Sequence, residues 1–283
     1  MLAVLLVPRG AAAGLAATIS HAEARQGDIL IVRVSVPEAP ETLQGSFAGR
    51  PLLFVPEGDG AYRALAGIDL QQPPGTYSVT LHWRPPEGDV THEVPVTVRD
   101  GAFPIQRLTL PPRMVDPDPA DLSRIQAEQE LLAAVFAGSD HTAHFSGPFL
   151  PPLDPAFQPS GTFGRRRLLN GSLRSPHSGE DFAAPVGTPV VASHQGRVAH
   201  VGEMYFAGRS VILDHGLGLF TIYFHLDSTE VEPGQLLGQG QLLGRVGATG
   251  RVTGPHLHWG AQLGPARVDP MALLRLDPAP ARP

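Results

Sequence analysis

Cysteine is absent from the 283 residues, which excludes disulfides and thiolate metal sites and leaves His, Asp and Glu to hold any metal ion. No stretch of about 20 apolar residues exists, so no integral membrane span is expected. Basic residues are too few for a nucleic-acid footprint: 21 Lys and Arg stand against 27 Asp and Glu, a formal net charge of -6, with no basic run. Aromatics make up only 6% of the chain. What the chain has in quantity is turn residues, 32 Gly and 30 Pro, and these favour many short strands over long helices. The absence of cysteine also fits an exported bacterial protein.

The length exceeds the usual single domain, so two are expected. Residues 1–18 are the targeting candidate, a signal peptide or an N-terminal tail: Leu2 to Val7 is apolar, Pro8-Arg9 interrupts it, and Ala11 to Ala17 is small and apolar. Residues 19–100 carry short β-branched runs separated by turns. Ile29 to Val36, Pro51 to Val55, Tyr62 to Leu70, Tyr77 to Trp83 and Val94 to Val98 are the runs, and Glu57-Gly58-Asp59-Gly60 and Pro73-Pro74-Gly75 are turns. That spacing predicts an immunoglobulin-like β-sandwich. His82 and His92 read as strand-end surface histidines. Residues 101–145 read as a linker with one helix at about 119–137: Asp118 as N-cap, Pro119 at the first position, an apolar stripe through Leu122, Ile125, Leu132 and Phe136, and Gly138 as the stop. His141 and His144 after it read as loop histidines.

Residues 146–283 return to strands and glycine turns, and here the chemistry gathers. His177 and Asp181 are four apart with Gly179 between them, where a glycine lets the backbone bend. His225 occupies the polar register of an otherwise apolar strand, opposite in face to Phe224. His256 and His258 alternate with Leu257 and Trp259, so both imidazoles share one surface. Histidine nitrogen and carboxylate oxygen suit Zn²⁺, and a catalytic site uses three protein ligands, so five candidates leave two for proton chemistry. His194, His200 and His215 read as structural. The run Arg165-Arg166-Arg167 is either a holder of an anionic substrate group or a solvated loop.

The texts His177-x-Gly179-x-Asp181 followed by Gly187-Thr188-Pro189-Val190, Tyr223-x-His225-Leu226, and Thr249-Gly250-x-x-Thr253-Gly254-Pro255-His256-Leu257-His258 resemble the lysostaphin/LytM-type zinc metallopeptidases over about residues 160–272. The resemblance implies an antiparallel β-sheet catalytic domain with a groove and hydrolysis of peptide bonds in bacterial peptidoglycan. It also implies that His177, Asp181 and His258 bind zinc, that His225 and His256 are catalytic, and that the protein is exported to the periplasm or cell envelope. The whole chain is therefore expected to be all-β apart from the connecting helix.

The expected chemistry is zinc-assisted amide hydrolysis, His256 taking a proton from water and His225 orienting the water or stabilising the oxyanion. No H-E-x-x-H sequence is present, so histidine must act as the base. Two rivals are a non-catalytic peptidoglycan-binding or amidase-activating module, and a carboxypeptidase acting on D-amino-acid termini. An intramolecular regulatory contact from the N-terminal domain or the helix is a further expectation.

Overall fold

The structure is a computed structural model that describes residues 15–36, 42–84, 88–109, 117–173 and 175–276. The chain divides into two compact units, one up to Gly101 and the other from Ala102.

The first unit has nine strands: β1 (Ala16–Ile19), β2 (Glu23–Arg25), β3 (Ile29–Ser35), β4 (Leu43–Phe47), β5 (Arg50–Leu52), β6 (Val55–Gly58), β7 (Ala61–Gly67), β8 (Gly75–Trp83) and β9 (Val90–Arg99). They form two sheets, in the orders β1-β3-β7-β6 and β2-β9-β8-β4-β5. Alternation builds the layer between them: Val79, Leu81 and Trp83 of β8 and Val94, Val96 and Val98 of β9 point inward against Leu30, Val32 and Val34 of β3. Each such side chain contributes about 1.5–3 kcal/mol by leaving water. The result is an immunoglobulin-like sandwich without a disulfide. Residues 1–14 of the expected leader or tail lie outside the described residues, and Ala16 to Thr18 at its end belong to β1, which pairs with β3.

The second unit opens with β10 (Ile105–Leu108), which pairs in parallel with β11 (Arg166–Leu169). From sequence alone residues 101–118 read as linker, because a four-residue strand whose partner lies some sixty residues away carries no local signal. A 3-10 turn, Pro119–Asp121, leads into helix α1 (Leu122–Ala137), with Asp118 accepting from the Ala120 N–H. No residue of α1 is buried, so the apolar stripe does not anchor it. The helix is held mainly by polar contacts: Glu128 accepts the Tyr205 N–H at 2.9 and 3.1 Å, and Arg124 donates to the Glu203 carbonyl. Phe136 adds an edge contact to Phe220.

Then follow β12 (Ser172–Leu173), β13 (Gly179–Ala183), β14 (Pro189–Val191), β15 (Gly196–Met204), β16 (Gly208–Asp214), β17 (Leu219–Thr229), β18 (Leu236–Leu237), β19 (Leu242–Val246), β20 (His256–Leu263), β21 (Ala266–Val268) and the short helix α2 (Pro270–Leu273). Nine strands make one antiparallel sheet with the path β13-β20-β17-β16-β15-β18; β19 joins β17 and β14, and β21 joins β20. Trp259, Tyr223, Phe182 and Leu257 bury their bulk in this unit. On the other face, the registers Asp181↔His258 and Phe224↔His258 bring side chains of three adjacent strands together.

Candidate active site

Cross-strand pairing sets Asp181 of β13 directly opposite His258 of β20, and His258 Nδ1 lies 3.0 Å from Asp181 Oδ1. His177 precedes β13, and its Nε2 lies 3.2 Å from the same oxygen. The donor atoms of His177, Asp181 and His258 all fall within 4.8 Å of one another. His256, two residues from His258 on the same face, has Nε2 3.9 Å from Asp181 Oδ1. The His225 ring centroid stands 4.8 Å from that of His256 and 6.1 Å from that of His258. All five side chains singled out in the sequence therefore lie together. His194, His200 and His215 lie outside the cluster. His144 meets Asp140, and the His82 Nδ1 meets the Thr91 hydroxyl.

Gly179 does not act as a bend: it is an extended strand residue paired with Gly260, and it supplies space, since a Cβ there would sit 2.6 Å from His258 Nε2 and 2.6 Å from the Trp259 carbonyl. Strict alternation put His225 on the face opposite Phe224, yet both border the cluster. His225 has φ +65, in the left-handed region where a histidine costs of order 1–3 kcal/mol. The pairing of β16 with β17 slips between Arg209 and Val211, and the His225 N–H bonds to the Ala207 carbonyl. This bulge re-aims the side chain.

Backbone carbonyls fix three tautomers, because a carbonyl can only accept. His177 Nδ1–H donates to Thr162 O at 3.1 Å, His225 Nδ1–H to Thr249 O at 3.0 Å, and His256 Nδ1–H to Gly254 O at 2.9 Å. In the neutral rings all three Nε2 atoms are then acceptors. The His177 Nε2 lone pair consequently faces a carboxylate oxygen at 3.2 Å, an arrangement that calls for a cation between them. Donors bound tetrahedrally to Zn²⁺ at about 2.0–2.1 Å stand roughly 3.3 Å apart, close to the observed 3.0 and 3.2 Å, so the donor set fits zinc.

Burial would push the Asp181 carboxyl up, but positive charge at its oxygen, from protons on the His177 and His258 nitrogens or from a cation in their place, outweighs that and holds it far below the usual carboxylate range. Burial, aided by the neighbouring His258 and His256, pushes His225 down to about 3, so its ring is neutral at pH 7. The His256 side chain, 21% exposed against 7–8% for His177 and His258, is the member of the cluster most open to solvent.

The sequence profile of peptidase family M23 matches residues 175–270, the segment that carries all five side chains. The fold resembles the crystal structure of a candidate M23 peptidase from Pseudomonas aeruginosa, with a TM-score of 0.65, 32% identity, and 86% of this chain and 92% of that one covered. The chain belongs to peptidase family M23. This is a family of zinc-dependent metallopeptidases. The peptidoglycan DD-endopeptidase ShyA of Vibrio cholerae is 44% identical over 109 residues, which are 38% of this chain and 25% of ShyA. The DD-carboxypeptidase/endopeptidase Mpg of Neisseria meningitidis is 41% identical over 97 residues, 34% of this chain and 22% of Mpg. The matched segment thus spans a quarter or less of these curated relatives.

Sequence reasoning missed the groups that hold the M23 cluster in place. Thr162 supplies the carbonyl for His177 and a hydroxyl that accepts the Asp181 N–H at 3.0 Å. The Thr249 hydroxyl donates to Leu226 O and accepts from Arg209 N, pinning the carbonyl that orients His225. Phe224 stacks on His258. Thr249 and Phe224 lie within the resembling motifs, but Thr162 does not, and nothing local marks the backbone carbonyls.

Proposed function

We propose that the second unit is a zinc endopeptidase that cleaves peptide bonds of bacterial peptidoglycan in the cell envelope, with His177, Asp181 and His258 as metal ligands and His225 and His256 as catalytic histidines. One observation carries this reading: two imidazole nitrogens converge on a single Asp181 oxygen, and a third Nε2 stands 3.9 Å away. The names of the Vibrio and Neisseria relatives support the substrate class. Among the described residues no helix is long and apolar enough to cross a membrane.

Zinc, when bound, supplies Lewis acidity that polarises a carbonyl and lowers the pKa of water to about 7. His256, with Nδ1–H tied to Gly254 O, offers Nε2 to take a proton from the attacking water and then return it to the departing amine. His225 offers a second acceptor nitrogen. Of the two roles considered for it, orienting the water needs only that acceptor, whereas stabilising an oxyanion would need a proton on Nε2 that its lowered pKa disfavours. Burial of the other candidate ligands keeps bulk water from competing at the carboxylate.

The test is digestion of purified sacculi by the full chain with stoichiometric zinc, followed by mass spectrometry of the products. Chelator-sensitive release of cross-linked stem peptides supports the endopeptidase. Release of terminal D-amino acids alone supports the carboxypeptidase reading, and wall binding without turnover supports the non-catalytic module.

A further inference from the structure

Glu180 is buried, at 3% exposure, in the core-facing register of β13, between the candidate ligand Asp181 and Gly179. A carboxylate there is costly unless its oxygens are satisfied. All of its recorded hydrogen bonds go to one loop: Oε1 and Oε2 accept the Thr162 N–H at 2.9 and 3.0 Å, Oε1 accepts the Thr162 hydroxyl at 3.2 Å, and Oε2 accepts the Phe163 N–H at 3.4 Å.

Thr162 uses every polar atom it has. Its N–H and hydroxyl point to Glu180, the same hydroxyl oxygen accepts the Asp181 N–H, and its carbonyl accepts His177 Nδ1–H. The loop is laced to the ligand segment by three further backbone bonds, Ser160 N–H to Asp181 O, Gly164 N–H to His177 O and His177 N–H to Arg165 O. The carboxylate thus reaches two candidate metal ligands through one threonine. A loop of this kind carries no regular secondary structure of its own to fix the carbonyl within hydrogen-bond range of an imidazole.

We propose that Glu180 is a positioning residue of the metal site: by clamping Thr162 it fixes the ring and tautomer of His177 and the backbone of Asp181. The inference rests on the zinc reading above and adds to it a residue that does not touch the metal. Groups that orient metal ligands from behind typically change metal affinity or activity by about 10- to 100-fold when removed.

The experiment measures zinc affinity of the full chain by competition with a chromophoric chelator, together with the visible spectrum of the Co²⁺-substituted protein. Glu180→Gln places an amide N–H₂ against donors of Thr162, and a roughly 10- to 100-fold rise in the zinc dissociation constant with an altered cobalt spectrum is expected. A folded Glu180→Gln protein with parental affinity and spectrum overturns the proposal. Should that variant not fold, Thr162→Val and Thr162→Ser decide: serine keeps the hydroxyl and should retain parental affinity, whereas valine should lose it, and equal affinities overturn the proposal. A parent chain that binds no zinc overturns the metal site itself and this inference with it, a result distinct from a parent that binds zinc and a variant that binds it equally well.

Discussion

Phe224 and His258 face one another across β17 and β20 with their rings 12° from parallel and 5.5 Å between centroids. The stack holds one face of a candidate ligand imidazole, whose Nδ1 stands 3.0 Å from Asp181 Oδ1. Phe224→Ala should leave zinc bound and lower kcat/KM on sacculus fragments by about tenfold to a hundredfold, as small misplacements of reacting groups do. Parental kcat/KM in a zinc-loaded Phe224→Ala protein would show that the stack does nothing for turnover.

His256→Ala should separate binding from chemistry. Zinc content by atomic absorption should stay at one per chain, while the cleavage rate falls by about 10²- to 10⁴-fold, the usual worth of a positioned general base. His177→Ala and Asp181→Asn should instead lose the metal. Turnover unaffected by the His256 change would remove it from the mechanism.

Gly179→Ala adds a Cβ 2.6 Å from His258 Nε2 and from the Trp259 carbonyl, and the latter is backbone that cannot swing aside. Lower zinc affinity and a drop in Tm are expected together. Chelator competition and calorimetry on one sample check both, and an alanine variant matching the parent in each would mean that β13 and β20 have more slack than their pairing indicates.

Acid should destabilise the second unit through His215, which is fully buried with Nδ1 on the Gln195 carbonyl and Nε2 beside the Thr221 hydroxyl. Burial pushes it down to about 3. An unfolded imidazole protonates near pH 6.5. Below that pH the unfolded chain binds a proton the folded chain refuses, so this stability is present above about pH 6.5 and is lost as pH falls toward 3. The contribution is a slope of up to about 1.4 kcal/mol per pH unit. His215→Gln should flatten the dependence of unfolding free energy on pH by about one proton; superimposable slopes would refute the assignment.

Glu128→Ala should loosen α1, because it removes both acceptors of the Tyr205 N–H and the Arg124 partner. A loss of about 1–2 kcal/mol is expected for charged hydrogen bonds in a partly buried site. Faster amide exchange confined to residues 119–137 and Tyr205 would report it, and unchanged protection there would mean that the Phe136 contact suffices.

The local periodicities were enough to predict the β character of both units, and the pairing of His256 with His258 on one face follows from alternation alone. Three features escaped because they arise from partners distant in sequence. The strand Ile105–Leu108 exists only by pairing with Arg166–Leu169, the helix α1 relies on Glu128 rather than its apolar stripe, and Thr162 matters through its carbonyl, which no side-chain pattern reveals. Glu180 did leave a trace: alternation from Asp181 places it on the core face, where an acidic side chain needs a reason.

The left-handed peptide at His225 ties two demands to one position. Whatever residue stands there must tolerate that backbone, which β-branched side chains resist, and must also present a ring nitrogen towards its neighbours. Sequence drift at 225 is therefore penalised twice, once through the hairpin it kinks and once through the reaction proposed for it, so exploring substitutes there should yield misfolded chains as often as merely inactive ones.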